Sequence, residues 1–264
     1  MRFVLGVCVA GLLLFPRTSL AQGAPAPPES PRFFIDINPF GVAWTASHDR
    51  EFFGTFAKFG EIATFEADYP KPSMGFAFLD VGGGFLLKPN LGFGAMLVRT
   101  TYKDTADVFA TIPHPVFLNA AATDGAVTDR ELQRNETAVH FGMFWIPLRG
   151  EHRQLRFFLG GSYFFLDAEM VNDISYEQTF SQTTPQNSVT VTGFTSERAK
   201  GGGFGAHISM DYTYFFNRTF GVGGGLRLSR GNVSLKPEPL SGIDQEIRVG
   251  GANVFVGIRL RFGH

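Results

Sequence analysis

The strongest constraint on this chain is a strict two-residue alternation running through residues 202–228. From Gly202 every second residue is Gly202, Phe204, Ala206, Ile208, Met210, Tyr212 and Tyr214, and those between are Gly203, Gly205, His207, Ser209, Asp211 and Thr213. A period of two is a strand. After Phe215-Phe216-Asn217-Arg218-Thr219 the pattern resumes, with Phe220, Val222, Gly224, Leu226 and Leu228 against Gly221, Gly223, Gly225, Arg227 and Ser229. The two runs form an antiparallel hairpin with one apolar face and one face of glycine, hydroxyl and charge. Directly opposed residues point the same way, so the phase survives only across an odd loop of about three or five residues, and 216–218 is the shorter solution.

Which face meets which solvent decides the environment. A water-soluble barrel carries its polar face outside, rich in Lys and Glu; here the polar positions are mostly Gly and Ser. In a membrane barrel the apolar face meets lipid and small or polar side chains line the lumen. An Arg or Lys at the lipid midplane costs roughly 2–4 kcal/mol, so His207, Asp211 and Arg227 sharing one face is what a lumen requires. The apolar face is therefore assigned to lipid. The soluble alternative, a lipocalin-like binding protein, needs the opposite assignment.

The N-terminus agrees with export. Met1-Arg2 precedes an apolar run over 3–15, and Thr18-Ser19-Leu20-Ala21 offers small residues at a signal-peptidase site, so 1–21 is expected to be a signal peptide. Pro16-Arg17 cuts the run short of the roughly 20 apolar residues a spanning helix needs. The single cysteine, Cys8, lies within this segment, which leaves 22–264 without a thiol. Residues 22–31, rich in Pro and Ala, read as a periplasmic linker, and 32–264 as one barrel domain. A net charge of −1 without a basic cluster argues against nucleic acid as a partner.

The remaining strands follow the same period: 32–46, 74–87, 91–102, 135–148, 155–167 and 246–262, which with the hairpin makes about eight. Pro39 cannot donate to a ladder and marks an expected bulge that shifts the phase of Phe40, Val42 and Trp44. Short turns lie at 88–90, 149–154 and 216–218, and long polar connections at 48–73, 103–133, 168–198 and 231–245. Short turns on one side and long loops on the other suit periplasmic and extracellular ends, and an even strand count puts both termini in the periplasm. Phe85, Trp145, Phe157, Tyr214, Phe220 and Phe262 are expected in the lower aromatic girdle, and Trp44, Tyr102 and Phe165 in the upper one. Val254, Val256, Ile258, Leu260 and Phe262 give the last strand an apolar face ending on an aromatic residue. It resembles the C-terminal signal read by barrel-insertion machinery in bacterial outer-membrane proteins, apart from the trailing Gly263-His264.

Taken together the mature chain resembles the small outer-membrane β-barrels of the OmpA transmembrane-domain, OmpX and OmpW type. The resemblance implies an all-β, up-and-down transmembrane barrel, inserted by the barrel-assembly machinery among outer-membrane lipid and lipopolysaccharide and expected to be monomeric. It implies a role in envelope structure, surface interaction through the loops, or passage of small apolar molecules.

Any chemistry would lie in the lumen. By parity its charged members are Asp36, Asp80, His140, Arg156, His207, Asp211, Arg227 and Arg259. An eight-stranded barrel is only wide enough for its own side chains, so these opposite charges are expected to plug it, with Asp36 and Arg259 close across the seam. The alternative is a narrow polar channel. The glycine runs at 81–84, 201–205 and 221–225 lack the Lys-Ser/Thr of a phosphate loop and instead make room for inward Phe144 and Phe158. His114, His140, His152 and His207 lack metal-ligand spacing, no Ser, His and Asp set is implied, and neither cofactor nor enzymatic activity is expected. In the loops, Ile112-Pro113-His114-Pro115-Val116-Phe117 is an apolar, proline-stiffened stretch that either covers the mouth or docks a partner, or simply packs on its neighbouring loop.

Overall fold

The computed structural model describes residues 32–45, 50–69, 74–127, 131–235 and 245–263. The expected signal peptide and linker, 1–31, lie outside the described residues. In chain order the strands are β1 (Phe33–Thr45), β2 (Arg50–Lys58), β3 (Glu61–Tyr69), β4 (Gly75–Lys88), β5 (Leu91–Asp104) and β6 (Asp107–Ile112). They continue as β7 (Ala122–Val127), β8 (Leu132–Arg149), β9 (Arg153–Phe180), β10 (Asn187–Phe215), β11 (Phe220–Leu235) and β12 (Gln245–Phe262).

Eight of them close into an antiparallel ring in the order β1-β12-β11-β10-β9-β8-β5-β4. Strand β1 pairs with both β12 and β4, so the ring has no open edge. The β1–β12 register shifts between Ile37 and Phe40, across Pro39, and this bulge keeps Ile35, Ile37, Phe40 and Trp44 all on the outside. Outward Phe33, Phe85, Phe93, Phe141, Trp145, Leu159, Met210 and Val256 are among a continuous set of exposed apolar side chains around the ring. An apolar belt of that extent is a liability in water and a solvation shell in lipid. The fold is an up-and-down transmembrane β-barrel, and the lipocalin-like alternative fails on this exterior.

Above the belt the two faces exchange character. Strands β9 and β10 have 28 and 29 residues, far more than the roughly 9–11 that cross a bilayer. Beyond Phe165 the outward positions carry Asp167, Glu169, Arg198 and Lys200, joined by cross-strand ion pairs at 3.6–4.0 Å. The inward positions become apolar: Leu166, Ala168 and Met170 on β9, Val233 and Leu235 on β11, Ile247 and Val249 on β12. This part of the molecule buries apolar side chains as a water-soluble domain does.

The remaining strands complete that core. They form a second sheet, β2-β3-β6-β7, whose Ala63, Phe65, Ala67, Val108, Ala110 and Ile112 join the same buried cluster. Residues 48–73, 103–133 and 168–198 are not open polar connections but contain β2 and β3, β6 and β7, and the extended β9–β10 hairpin. Many of their buried positions are alanine, namely Ala63, Ala67, Ala106, Ala110, Ala168 and Ala199, so the apolar stripe is thin; it becomes effective only when two sheets share it. The connection 231–245 is likewise shortened by β11, which continues to Leu235.

Two local expectations also change. Tyr102 was placed in the upper girdle, but it is buried inside the ring, under the Arg134 guanidinium at 5.9 Å; beyond the belt, inside is where an aromatic ring finds apolar company. The β10–β11 turn takes the longer odd solution, with five residues between paired Phe215 and Gly221. Asn217 helps to close it: its Oδ1 accepts from the backbone N–H of Thr219 and Phe220, both at 2.8 Å, while the Phe216 N–H donates to the Phe220 carbonyl at 3.0 Å, so the tip is 217–219 rather than 216–218. Asn217→Ala is expected to destabilise the barrel by about 1 kcal/mol, measured by urea unfolding in detergent micelles.

Candidate functional site

Within the belt, the interior is a column of side chains contributed by all eight strands, seven of which supply charged members while β5 supplies Met96 and Val98. All eight charged residues assigned to the lumen by parity lie there and are buried. One layer is aromatic. Phe144 stacks on Phe158 at 4.1 Å and Phe34 meets Phe144 edge-on at 4.8 Å, with Arg156 over Phe34 at 4.6 Å. Glycine makes this possible at Gly94, where a Cβ would stand 2.4 Å from the Phe144 ring.

Against this layer lies a four-membered ion network that borders the short-turn mouth. Asp36 directly opposes Arg259 across the seam, and Asp211 directly opposes Arg156. The pairs then cross-link: Arg156 reaches Asp36 at 2.5 Å and Asp211 at 3.5 Å, and Arg259 reaches Asp36 at 3.5 Å. Arg259 also donates to Asp211 from both Nε, at 3.0 Å, and Nη2, while Thr213 donates to Asp211 at 2.8 Å. Two carboxylates and two guanidiniums neutralise one another, and each makes more than one bond, the condition for keeping buried charge in place.

Asn38 links this network to the next. Its Oδ1 accepts from Arg259 at 2.7 Å and its Nδ2 donates to Asp80 at 3.0 Å. Asp80 in turn receives Arg227 at 3.1 and 3.4 Å, and the guanidinium lies 4.8 Å from the Phe255 ring. Above them, Ser162 Oγ lies 2.7 Å from His140 Nδ1 and 3.0 Å from His207 Nδ1. The imidazoles are 4.6 Å apart, and no carboxylate completes a catalytic triad with them among the hydrogen bonds of the described residues. At the top of the column Arg134 pairs with Glu136, which accepts from the Gly250 N–H at 3.0 Å. Two cavities in this interior measure about 20 and 30 Å³, room for a water molecule or two.

Sequence reasoning missed Asn38, Ser162, Arg134 and Glu136 as members of this column. Asn38 and Ser162 share parity with Asp36 and Arg156 but are uncharged. Arg134 and Glu136 share parity with His140; Glu136 already lies on the inward face of the expected strand 135–148, and carrying the alternation one residue back from 135 reaches Arg134.

The remaining candidates fall elsewhere. Val254, Val256, Ile258 and Phe262 of β12 are exposed on the lipid side, with Leu260 half-buried beside them. The stretch from Ile112 to Phe117 packs on the β9–β10 tip. Asn187 Nδ2 donates to the carbonyls of Ile112 and Ala120, each at 3.1 Å, and Gln178 Nε2 to that of Pro113 at 2.9 Å. His114 is buried edge-on between Phe117 and Phe180, and its Nδ1 accepts from the N–H of Val116 and Phe117. Pro115 is half-buried, whereas Val116 and the following Leu118 are exposed.

No protein-family model matches the chain, and no curated protein matches it in sequence. Solved structures share its general shape at very low identity. The outer membrane protein OprG from Pseudomonas aeruginosa is 11% identical over 89% of this chain and 97% of that one, with a TM-score of 0.45. The outer membrane protein AlkL in DMPC lipid bilayers is 8% identical over 94% and 98%, with a TM-score of 0.42. The outer membrane protease OmpT from Escherichia coli is 10% identical over 88% and 97%, with a TM-score of 0.35. These values transfer neither substrate nor activity; the closed eight-stranded ring with its apolar exterior and packed interior is what makes the chain a small transmembrane β-barrel.

Proposed function

We propose that this protein is a non-enzymatic bacterial outer-membrane barrel with a closed lumen, a rigid anchor that holds a folded β-structure outside the cell. In this reading 1–21 directs export, the short turns and both ends face the periplasm, the β12 exterior guides insertion, and the monomer sits among lipid and lipopolysaccharide. The observation that supports it is the column from Phe34 to Glu136, in which seven strands contribute charges that satisfy one another. The extended hairpins and second sheet then present surface for partners, with Val116 and Leu118 as exposed apolar contacts.

Planar-bilayer recording of the refolded protein tests this. Wild type is expected to be silent, and Asp211→Ala or Arg227→Ala to leak, because each leaves a void and an uncompensated charge in the column. Steady wild-type conductance would remove the closed-lumen reading.

A second reading, passage of a small apolar solute, has one observation in its favour. A depression of about 650 Å³ in the outer wall is bordered by Trp44, Ile208 and Leu228 and shares Ser229, Gly251 and Ala252 with the upper internal cavity. Uptake of a small apolar solute into proteoliposomes, abolished by Ala252→Trp, would favour that reading.

A further inference from the structure

The formal net charge of −1 conceals a difference between the two ends of the barrel. Among the described residues, the end formed by the short turns carries Arg32, Lys88, Arg149, Arg153, Arg218 and Arg261 against a single carboxylate, Glu151. The opposite end is acidic: the described residues of segments 50–69, 103–133 and 167–200 hold thirteen Asp and Glu and five Lys and Arg.

Two of the cations are tied into the rim by backbone. The Arg261 guanidinium lies 3.8 Å from the Phe215 ring centre and donates to the carbonyls of Arg218 at 2.7 Å and Glu151 at 3.1 Å. Arg149 donates to the carbonyl of Pro89 and borders the same mouth cavity as Arg261. All three short turns are thereby fastened by positive charge. Lys88, Arg153, Arg218 and Arg32 remain exposed around them.

An aromatic belt stands directly beside this rim. Trp145 stacks on Phe157 at 5.6 Å, Phe216 on Phe220 at 5.8 Å, and Tyr214 meets Phe216 edge-on at 5.6 Å. Such rings settle at headgroup depth, and long cationic side chains next to them reach the phosphates by snorkelling.

We propose that this basic rim binds the anionic phospholipid headgroups of the leaflet it faces, with phosphates held by the exposed Arg32, Lys88, Arg153 and Arg218 on turns that Arg149 and Arg261 fasten from within. The proposal deepens the membrane-anchor reading and rests on it for the lipid-facing exterior. Inorganic phosphate offers the same charge but lacks the acyl chains that the neighbouring aromatic belt contacts, so the lipid is the ligand. The acidic opposite end repels the same headgroups, which makes the binding one-sided.

The two tryptophans make this testable, because Trp145 stands in the belt beside the rim and Trp44 near the other end of the barrel. The protein is refolded into phosphatidylcholine vesicles containing a minor share of brominated phosphatidylglycerol or brominated phosphatidylcholine. Trp44→Phe leaves Trp145 as reporter, and Trp145→Phe leaves Trp44. Brominated phosphatidylglycerol is expected to be preferred at Trp145 by roughly tenfold, the order expected of several cations near an anionic leaflet. No preference is expected at Trp44. The combined variant K88Q/R153Q/R218Q is expected to lose the preference while retaining heat-modifiable migration. Equal quenching by the two lipids at Trp145 overturns the proposal, as does an equal preference at both tryptophans or its persistence in the combined variant. Abolition of the preference by excess inorganic phosphate overturns the lipid assignment. Absence of quenching by either lipid at both tryptophans would instead remove the transmembrane reading on which the proposal rests.

Discussion

Arg227→Ala is expected to destabilise the barrel by about 3–5 kcal/mol, the cost of leaving one member of a buried ion pair without its partner. Arg227 is 1% exposed, and its guanidinium holds both oxygens of Asp80 while lying against Phe255. Alanine leaves Asp80 with Asn38 as its remaining hydrogen-bond donor among the described contacts. Water entering the space relieves part of the charge, which is why the same variant is expected to leak. The companion variants separate charge from packing. In D80N/R227M both charges are gone and the stem volume is largely kept, so most of the lost stability is expected to return. Equilibrium urea unfolding in micelles or short-chain lipid vesicles reads all three; a loss below about 1 kcal/mol for Arg227→Ala would show that the pair is hydrated rather than part of a dry plug.

Phe65→Ala is expected to cost about 3–5 kcal/mol as well, but the loss should be local. Phe65 is 1% exposed at the centre of the outer core, and its ring lies across Gly54, where a Cβ would stand 2.0 Å from the ring. Removing the ring takes away what holds β2 and β3 over the extended hairpins, while the charged column below touches none of these residues. Limited proteolysis in detergent should therefore reveal new cuts within 50–69, with heat-modifiable migration of the barrel unchanged. Loss of migration together with proteolytic sensitivity would mean that the second sheet and the ring fold as one cooperative unit.

The contrast between these two sites explains how far the chain could be read residue by residue. The lower barrel was legible because alternation there is unambiguous: Ile208, Met210 and Tyr212 against His207, Ser209 and Asp211 can satisfy lipid and lumen in only one way. The same parity located eight charged members of the column, though not the Arg134–Glu136 pair at its top. It could not show that Arg156 reaches both Asp36 and Asp211 or that Asn38 bridges the Arg259 and Arg227 networks, because parity sets the face of a residue and not its height.

Height is set by register and strand tilt around a closed ring, and these depend on residues far apart in the chain. Asp36 meets Arg259, and Arg227 meets Asp80, only after β1 and β12 have paired. The outer half was opaque for a related reason. Alternation is indifferent to which face is buried, and above Phe165 the buried face switches from polar to apolar as the surroundings change from lipid to water. Local pattern determined strands, faces, the lipid belt and, through the closing seam, the approach of Asp36 to Arg259; only tertiary structure decided the other partners of the buried charges and the existence of the outer core, because both are built from contacts between segments that share no local signal.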